Sequence, residues 1–529
     1  MLVAALLALL PLAPCAPADT LVVCPAPYRA ALEPWLELRQ AQGHACEVIE
    51  PSPTARGLER QIRSRATAFL RHVVLVGDAA AAQQPPVPGV PTCLRPAEIN
   101  VKFGSEPEIA SDQPLVDFDG DGAPEVAIGR LSVSTAAELE RLVAKIVRYE
   151  RQAGFGAWRR RIDIVAGAGG FGPVTDTVLE VTTRKLVVDG IPQAYHTNFT
   201  YGSWTSPYCP DPRRLRESAQ RGLGEGCLFW AYLGHGHRRH VDRPRLLGRP
   251  WPVLESGDAA RLPMPSGTPI ALLMSCYAGA FDDDQTCLAE ELLRADAGPV
   301  AVLCGSRVTM PYGMTALAQE LLDHAFSGER QTLGELLLRA KRDLVARTKQ
   351  SPTRQTVDLL ASALNPADLA QERREHALLF NLLGDPLLTL APPTPVELTV
   401  APTTERGTRL EVLAKCAVDG ACTVELVGPR DRAPPVSRAA LEPATPSDLT
   451  ARQRLYERAN NPRLASATVQ VVDGRIHCWL DVPENAPAEC HVRLFVEGAK
   501  AHAVGAAKVK VAAPVAVERI SAVPETGPQ

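Results

Sequence analysis

FWAYLGHGH at residues 229–237 and IALLMSCYAG at residues 270–279 decide how this sequence folds. Each is an apolar run of strand length that ends on a reactive side chain beside glycine, His235 in the first and Cys276 in the second. The 41 residues that separate these two side chains are enough for a crossover connection, which would make the strands parallel neighbours. In open sheets of this kind, reactive groups gather where the carboxyl ends of strands meet loops.

The same alternation of short apolar runs and amphipathic segments extends outward on both sides. It predicts strands at residues 20–24, 45–49, 72–76, 126–128, 161–166 and 300–304, and helices at 27–42, 56–71 and 136–151. Such alternation is typical of parallel sheets with helices on both faces. The sequence therefore predicts an α/β fold with two parallel-sheet subdomains, at residues 19–155 and 156–392.

The pattern of apolar and polar residues changes after APPTP at residues 391–395, whose prolines are typical of a stiff linker. Six short alternating segments follow without helical spacing, and residues 442–461 interrupt them as an irregular or helical excursion. This pattern predicts an immunoglobulin-like β-sandwich at residues 396–515. We expect residues 516–529 to form a flexible tail.

The amino-terminal residues predict secretion. Residues 1–18 are an apolar run that ends in prolines and small residues, which is typical of a cleaved signal peptide, although LAPC at residues 12–15 leaves lipidation at Cys15 as an alternative. No later stretch is long and apolar enough for stable membrane insertion, so we expect a location outside the cytoplasm, in the periplasm, at the cell surface or in the medium. An oxidising location makes disulfides plausible in the early unit that contains Cys24 and Cys46 and among the late cysteines Cys416, Cys422, Cys478 and Cys490, and the sequence leaves their pairing open.

Charge excludes one broad class of partner. The chain of 529 residues has 56 basic and 60 acidic side chains, which leaves a net charge of −4. Binding to nucleic acid calls for a clustered basic excess, so we expect no nucleic-acid partner. Composition leaves the oligomeric state open.

The two strand-end motifs carry the chemistry of acyl transfer. A thiol needs a nearby imidazole to become an effective nucleophile and to protonate a leaving amine, and Cys276 and His235 supply this pair. The backbone N–H groups of Gly236 and Cys276 could together stabilise a tetrahedral oxyanion. This chemistry requires no cofactor.

Two other functions compete with this interpretation. His235, His237 and His240, with Asp242 nearby, could form the metal cluster of a metal-dependent hydrolase, although their spacing does not suit a helix. The chain could also be a non-catalytic, secreted adhesion or binding protein that retains the same fold.

A loop rich in carboxylates predicts a structural calcium site. In DFDGDG at residues 117–122, Asp117, Asp119 and Asp121 alternate around glycine, and hard cations such as Ca²⁺ prefer oxygen ligands on a tight loop. A solvated acidic turn is the alternative. Ile128 stands where an EF-hand would require a bidentate Glu.

An ordered set of motifs resembles the gingipain-like cysteine peptidases, whose catalytic fold is similar to that of caspases. The set comprises VVLVGD at 73–78, PEVAIGRLSV at 124–133, YLGHGH at 232–237, SCYAGAF at 275–281 and FNLLGDPLLTL at 380–390. The likeness extends over about residues 20–427, which includes the first three predicted strands of the sandwich.

The resemblance implies an endopeptidase that acts on proteins or peptides, with Cys276 as nucleophile and His235 as general acid and base. It also implies that Asp176 recognises a basic residue before the scissile bond, the P1 residue, and that Tyr312 lines the substrate pocket. The family's acidic residue that orients the histidine has no apparent counterpart here, because the corresponding loop reads GAGGFG at residues 167–172.

Overall fold

In a computed structural model of the protein, the described residues are 17–80, 88–151, 155–167, 169, 190–346, 352–364, 369–430 and 446–513. The predicted signal peptide, with Cys15, and the predicted tail lie almost wholly outside these residues. Asp176 also lies outside them. No described helix has the length and apolar content that crossing a membrane requires.

The chain forms two compact units. The first comprises the described residues of Met1–Arg151, Ala231–Asp242 and Leu254–Ala391, and the second those of Gln152–Trp230, Arg243–Val253 and Pro392–Gln529. This division differs from the predicted subdomains, because residues 254–391 fold with the amino-terminal residues. The pairing of late strands with early ones, described below, accounts for that difference.

The first unit is a mixed α/β structure. Its strands are β1 (Thr20–Val23), β2 (Cys46–Ile49), β3 (His72–Val76), β4 (Cys93–Pro96), β5 (Glu108–Ser111), β6 (Ala127–Leu131), β9 (Phe229–Leu233, which begins in the second unit), β12 (Ile270–Met274), β13 (Ala301–Gly305), β14 (Gln331–Thr332), β15 (Phe380–Leu383) and β16 (Thr389–Leu390). Its helices are α1 (Arg29–Ala41), α2 (Ala55–Arg63), α3 (Ala136–Arg151), α5 (Leu288–Arg294), α6 (Pro311–Ala325), α7 (Leu333–Ala346), α8 (Pro352–Leu364) and α9 (Leu369–Leu379).

The main sheet of this unit is mostly parallel. Its strands follow the order β2-β1-β3-β6-β15-β13-β12-β9. The pairs β1–β2, β1–β3, β3–β6, β6–β15 and β12–β13 are parallel, whereas β13 and β15 are antiparallel. The α/β class is confirmed. The antiparallel pair was not predicted. The periodicity of apolar residues does not record strand direction, and β15 follows α9 without a loop that would mark where the strand begins.

Helix α2 packs against the apolar residues of β1 and β3. Leu21, Val73 and Leu75 are buried with Leu58 and Ile62 of α2 in one cluster. Each such buried side chain contributes roughly 1.5–3 kcal/mol of hydrophobic free energy. The helix begins with the Thr54 side chain, which accepts the N–H of Gly57 at 3.1 Å, and ends at Arg63. The predicted helix over residues 56–71 was therefore too long.

The second unit joins an α/β portion to a β-rich portion. The α/β portion consists of β7 (Arg161–Ala166), which is parallel to β8 (His196–Tyr201), helix α4 (Leu215–Glu225) and the short pair β10 (Arg245–Leu246) and β11 (Arg249–Pro250). The β-rich portion contains β17 (Thr394–Pro395), β18 (Leu398–Val400), β19 (Thr403–Glu405), β20 (Arg409–Lys415), β21 (Ala421–Val427), α10 (Pro446–Ala459), β22 (Arg463–Gln470), β23 (Arg475–Asp481), β24 (Glu489–Glu497) and β25 (His502–Ala512).

The β-rich portion consists of two sheets around one core. One sheet has the order β17-β25-β24-β21-β22, with β19 also on β25, and the other has the order β18-β20-β23. Exposed and buried residues alternate strictly along β20 and β23, as expected for a sheet with one solvated face. The apolar faces of both sheets belong to a single buried cluster. An immunoglobulin-like topology stays a prediction.

All twelve cysteines among the described residues are free thiols. A disulfide between Cys24 and Cys46, which the sequence leaves open, is excluded by strand register, because Cys46 pairs with Thr20, four residues before Cys24. At about 3.3 Å per residue, that offset exceeds the Cα separation a disulfide spans. The expected late disulfides are likewise not formed, since Cys416, Cys422, Cys478 and Cys490 are buried as separate thiols.

Candidate active site

The carboxyl ends of β9 and β12 lie side by side. The N–H of Gly234 donates to the carbonyl oxygen of Met274 at 3.3 Å. A Cβ atom on Gly236 would lie 2.4 Å from the carbonyl oxygen of Cys276 and 2.7 Å from the Ser275 hydroxyl. Glycine at 236 therefore lets the histidine segment rest directly on the cysteine segment. The structure brings the two predicted motifs together at one edge of the sheet.

His235 lies in a short hairpin that begins directly after β9. Gly236 pairs with Val241 in antiparallel fashion, and the N–H of Asp242 donates to the carbonyl oxygen of His235 at 3.0 Å. The buried hydroxyl of Tyr232 donates to that same oxygen at 2.8 Å. Burial and the nearby Asp242 carboxylate raise the pKa of Tyr232, so its phenol stays protonated and remains a donor. The backbone that carries His235 is thus held from two directions.

Thr309 contacts the sulfur of Cys276. Its backbone N–H donates to Sγ at 3.3 Å, and its hydroxyl lies 3.5 Å from the same atom. An N–H donor directed at sulfur stabilises negative charge there. The sequence does not predict a role for Thr309, because any residue type can supply a backbone N–H and no motif marks it.

A buried polar face of α9 holds the loop that carries Thr309. Nε2 of His376 accepts the N–H of Met310 at 2.9 Å, while its Nδ1 donates to the carbonyl oxygen of Glu372 at 2.7 Å. Burial lowers the pKa of His376 to about 4, so the ring is neutral near pH 7 and Nε2 remains an acceptor. The Glu372 carboxylate accepts the N–H of Gly313 at 2.9 Å. The chain is therefore held at Met310 and again at Gly313, three residues later.

The same helix face holds a second loop. The carboxylate of Glu375 accepts the backbone N–H groups of Glu98, Ile99 and Asn100. The Asn100 side chain donates to the carbonyl oxygen of Val308 at 3.2 Å. Residues 98–100 and 308–313 thus share one anchor. Sequence reasoning missed Glu375, because the residues it holds lie about 275 positions away.

Tyr312 occupies the first turn of α6 and is largely buried. Its hydroxyl donates to Asp358 at 2.8 Å and accepts from Arg373 at 2.6 Å. These bonds tie α6 to α8 and α9. A role for Tyr312 in lining the substrate pocket stays a prediction, as does the role of Asp176.

The His235, His237 and His240 side chains do not form a convergent metal site in the described part of the chain. The His237 and His240 rings lie with centroids 4.4 Å apart, and Nδ1 of His240 donates to the carbonyl oxygen of Val241 at 2.8 Å. Three or more metal-ligating groups converge at two other places among the described residues. Neither place includes His235, so the geometry does not favour the metal-dependent hydrolase.

One of those places joins Glu320 and His324 on α6 to Asp343 on α7. Nε2 of His324 lies 3.0 Å from the Asp343 carboxylate, and Glu320 is paired with the guanidinium of Arg354. Because each of these groups already has a hydrogen-bonding or charged partner, the cluster is accounted for as a polar network within the fold.

The other place is the predicted calcium loop. One oxygen from each of Asp117, Asp119, Asp121 and Glu125 lies within 4.8 Å of the others. Burial and the neighbouring carboxylates raise the pKa of Asp117 and of Glu125, although backbone hydrogen bonds oppose the increase. Four carboxylate oxygens suit a hard divalent cation. Glu125 was not among the predicted ligands, because it follows the DFDGDG motif rather than lying within it.

Comparison with known proteins places this arrangement in a family. The family model described as Peptidase family C25 matches residues 13–391, which includes both strand-end motifs. The chain belongs to peptidase family C25. Membership confirms the gingipain-like resemblance and places His235 and Cys276 within the family's matched region.

Individual C25 relatives are distant. Lys-gingipain from Porphyromonas gingivalis is 23% identical over 309 residues, a match that covers 56% of this chain and 16% of that protein. The chain therefore spans only a small part of the curated relative that it matches.

Solved structures extend the C25 likeness to the fold. The Arg-specific cysteine proteinase gingipain R superposes with a TM-score of 0.52 at 17% identity, covering 94% of this chain and 98% of that one. A structure described as a protease gives a TM-score of 0.54 at 14% identity, with the same coverage of both chains. At these identities the likeness concerns the fold alone.

Proposed function

We propose that this protein is a secreted cysteine endopeptidase that uses a Cys276–His235 dyad and prefers a basic P1 residue. The observation that carries the proposal is the contact between Gly236 and Cys276, which brings the imidazole-bearing and thiol-bearing segments to one sheet edge. Membership of a peptidase family supports the same chemistry. The sequence of residues 1–18 supports secretion.

The proposed cycle proceeds by acyl transfer. The sulfur of Cys276 attacks the substrate carbonyl carbon while His235 takes the thiol proton, and a C–S bond forms. His235 then gives that proton to the amine nitrogen as the C–N bond breaks, which leaves an acyl-enzyme. Water then attacks the acyl carbon while His235 takes one of its protons. The C–S bond breaks, His235 gives that proton to the departing sulfur, and the carboxylic acid product is released and ionises in solution, which restores the thiol and the neutral imidazole.

The N–H groups of Gly236 and Cys276 form the proposed oxyanion hole. They belong to the two segments that touch at Gly236, so one tetrahedral oxyanion could receive a hydrogen bond from each. A donor of this kind is worth about 10²–10³-fold in rate.

A preference for a basic P1 residue is supported by the names of two relatives, Lys-gingipain and an Arg-specific gingipain. Acidic side chains near Cys276 could also attract a basic P1 residue, although this support is weaker. Asp282 and Asp283 follow the nucleophile loop, but each is already paired with an arginine. The preference therefore needs a recognition residue beyond this pair, which is the role we propose for Asp176.

A panel of fluorogenic peptides that differ only at P1 tests the proposal. We expect cleavage after Arg or Lys at least about tenfold faster than after Ala, Phe or Asp, since one buried charge pair contributes a kcal/mol or more. Iodoacetamide should abolish cleavage, whereas 1,10-phenanthroline, which removes transition metals, should leave it unchanged.

Three results would contradict parts of this proposal. Inhibition by phenanthroline alone would favour the metal-dependent hydrolase. Absence of cleavage on every peptide and on unfolded proteins would favour a non-catalytic binding protein. Equal rates for all P1 residues would remove the basic preference and leave the dyad intact.

We also propose that Asp117, Asp119, Asp121 and Glu125 bind a structural calcium ion. At Ca²⁺ concentrations about 100-fold above Kd, binding should stabilise the folded protein by about 2.7 kcal/mol. We expect a rise of several degrees in the unfolding temperature measured by scanning calorimetry, and loss of that rise in Asp119→Asn.

Glu33→Gln is the matched control for this experiment, because Glu33 is an exposed carboxylate on α1 and is not one of the four whose oxygens converge. It should keep the full calcium response. A wild-type protein that shows no shift at millimolar Ca²⁺, or an Asp119→Asn variant that keeps the shift, would identify the loop as a solvated acidic turn.

A further inference from the structure

Arg238 links the histidine hairpin to the residues around the nucleophile. It lies in the turn of the hairpin, three residues after His235. Its Nη2 lies 2.5 Å from the Glu106 carboxylate and its Nε lies 2.6 Å from Asp283. The carbonyl oxygen of Arg238 also accepts the N–H of Leu288 at 2.7 Å. One side chain therefore bridges the hairpin to a carboxylate on each of two other segments.

The residue directly after the nucleophile is held by the same group. Tyr277 has a φ of +55°, a left-handed conformation that costs a non-glycine residue about 1 kcal/mol or more. Its hydroxyl donates to Glu106 at 2.5 Å, and the Arg238 guanidinium lies 4.6 Å from its ring centroid. These contacts hold Tyr277 in its strained backbone conformation, and Tyr277 is bonded directly to Cys276. Glu106 and Arg238 therefore both contact the side chain of the residue that directly follows Cys276.

Charge complementarity keeps this network intact near neutral pH. Partial burial opposes ionisation of Glu106, but hydrogen bonds from Tyr277 and Arg238 lower its pKa below the ordinary range. A second arginine, Arg307, binds Asp282 and lies 3.7 Å from Glu106. Two guanidinium groups and three carboxylates therefore alternate around the nucleophile loop.

The exposure of these groups shows what the network can do. The side chains of Arg238, Glu106 and Asp283 are 42%, 37% and 28% exposed. Ion pairs with this much solvent contact contribute only about 0–1 kcal/mol to stability. Their geometric effect is larger, because displacing a catalytic group by about 1 Å can cost about 10²-fold in rate.

We propose that Arg238 is a positioning residue, which through Glu106, Asp283 and Tyr277 sets the approach of the His235 imidazole to the Cys276 sulfur. The inference rests on the proposed dyad. It assigns no chemistry to Arg238 itself. The arginine acts by fixing the two segments from which the reacting groups project.

Arg238→Gln and Arg239→Gln form a matched pair for the test. Arg239 is the next residue of the same turn, and it contacts Ser256, Gln285 and, at 3.6 Å, Glu291. We expect Arg238→Gln to lower kcat by about 10–100-fold with KM within about threefold, and Arg239→Gln to stay within about twofold on both. Active sites are titrated with an irreversible thiol reagent, so that misfolded protein does not count.

A second readout separates positioning from general destabilisation. The rate of Cys276 alkylation by iodoacetamide is measured by mass spectrometry between about pH 5 and pH 9, because a nearby imidazole promotes the thiolate at the acidic end. In Arg238→Gln this profile should move towards that of His235→Ala. Loss of fold stability alone would lower the reactive fraction without moving the profile.

Each outcome decides the inference. Wild-type kcat and a wild-type alkylation profile in Arg238→Gln would overturn it, as would an equal loss in Arg239→Gln or a lower kcat with an unmoved profile. If Arg238→Gln does not fold, Arg238→Lys keeps the charge but not the two-pronged contact, and wild-type kcat in that variant would overturn the inference. A wild-type protein whose alkylation profile matches that of His235→Ala would instead refute the dyad itself.

Discussion

Replacing Cys276 with alanine should abolish peptide cleavage while the protein remains folded. Removal of a nucleophile typically lowers kcat by about 10⁴-fold or more. The change deletes one half-buried sulfur whose contacts are to Thr309. Such a deletion should cost about 1 kcal/mol or less of unfolding free energy. The measurement is kcat on the best peptide of the P1 panel, alongside a thermal melt of the same preparation.

Cys46→Ala is the control for this variant. Cys46 is also half-buried and free, but burial raises the pKa of its thiol to about 11, so little thiolate forms near pH 7. We expect the control to retain kcat within about twofold. Retention of cleavage by Cys276→Ala at more than about a tenth of the wild-type rate would exclude Cys276 as the nucleophile.

The Cys276→Ala variant should also differ from the wild-type protein in how iodoacetamide alkylates its cysteines. Burial raises the pKa of the thiol at ten other described cysteines: Cys24, Cys46, Cys93, Cys209, Cys227, Cys287, Cys304, Cys416, Cys422 and Cys478. Cys46 and Cys276 are the two described cysteines that are not buried, so limiting iodoacetamide should modify Cys276 first in the wild-type protein. Cys276→Ala should lose that rapid phase.

Strand positions could be predicted because their signal is local. Apolar runs such as Val73–Val76 mark buried strands, and strict alternation such as RLEVLAK at Arg409–Lys415 marks a half-exposed one. The pairing of β15 with both β6 and β13 could not be predicted, because the partners are far apart in the chain and apolar content does not encode them. That pairing is the reason why the first unit combines early and late residues of the chain.

The residues of the candidate site also differ in whether the local sequence reveals them. His235, Gly236 and Cys276 could be found because each follows an apolar strand and has an unusual neighbourhood of glycine and reactive side chains. Thr309 could not, since it contributes a backbone N–H. Arg238 and Glu106 could not, because a charged surface residue gives no sign that its partner lies 132 positions away. Residue type is thus visible in sequence, whereas convergence of distant loops is not.

Replacing His235 with alanine should reduce cleavage almost as severely as replacing Cys276. Without the imidazole, the thiol proton has no nearby acceptor and the leaving amine has no donor, so both halves of the cycle slow. Members of a catalytic unit act together, so the double variant Cys276→Ala/His235→Ala should be no slower than Cys276→Ala alone. Steady-state rates of the three variants, measured on one peptide, give this comparison.

The neighbouring histidines provide the sharpest control. His237 and His240 lie in the same hairpin, and their rings contact one another rather than converging with a third metal-ligating group among the described residues. If the dyad operates, His237→Ala and His240→Ala should each keep at least about half of the wild-type kcat, while His235→Ala falls by about 10³-fold or more. A metal-dependent hydrolase would instead lose activity in all three variants, because each histidine would supply one of the ligands that hold the ion. Equal losses in the three single variants, together with normal cleavage by Cys276→Ala, would therefore transfer the catalytic role from the sulfur to a metal ion.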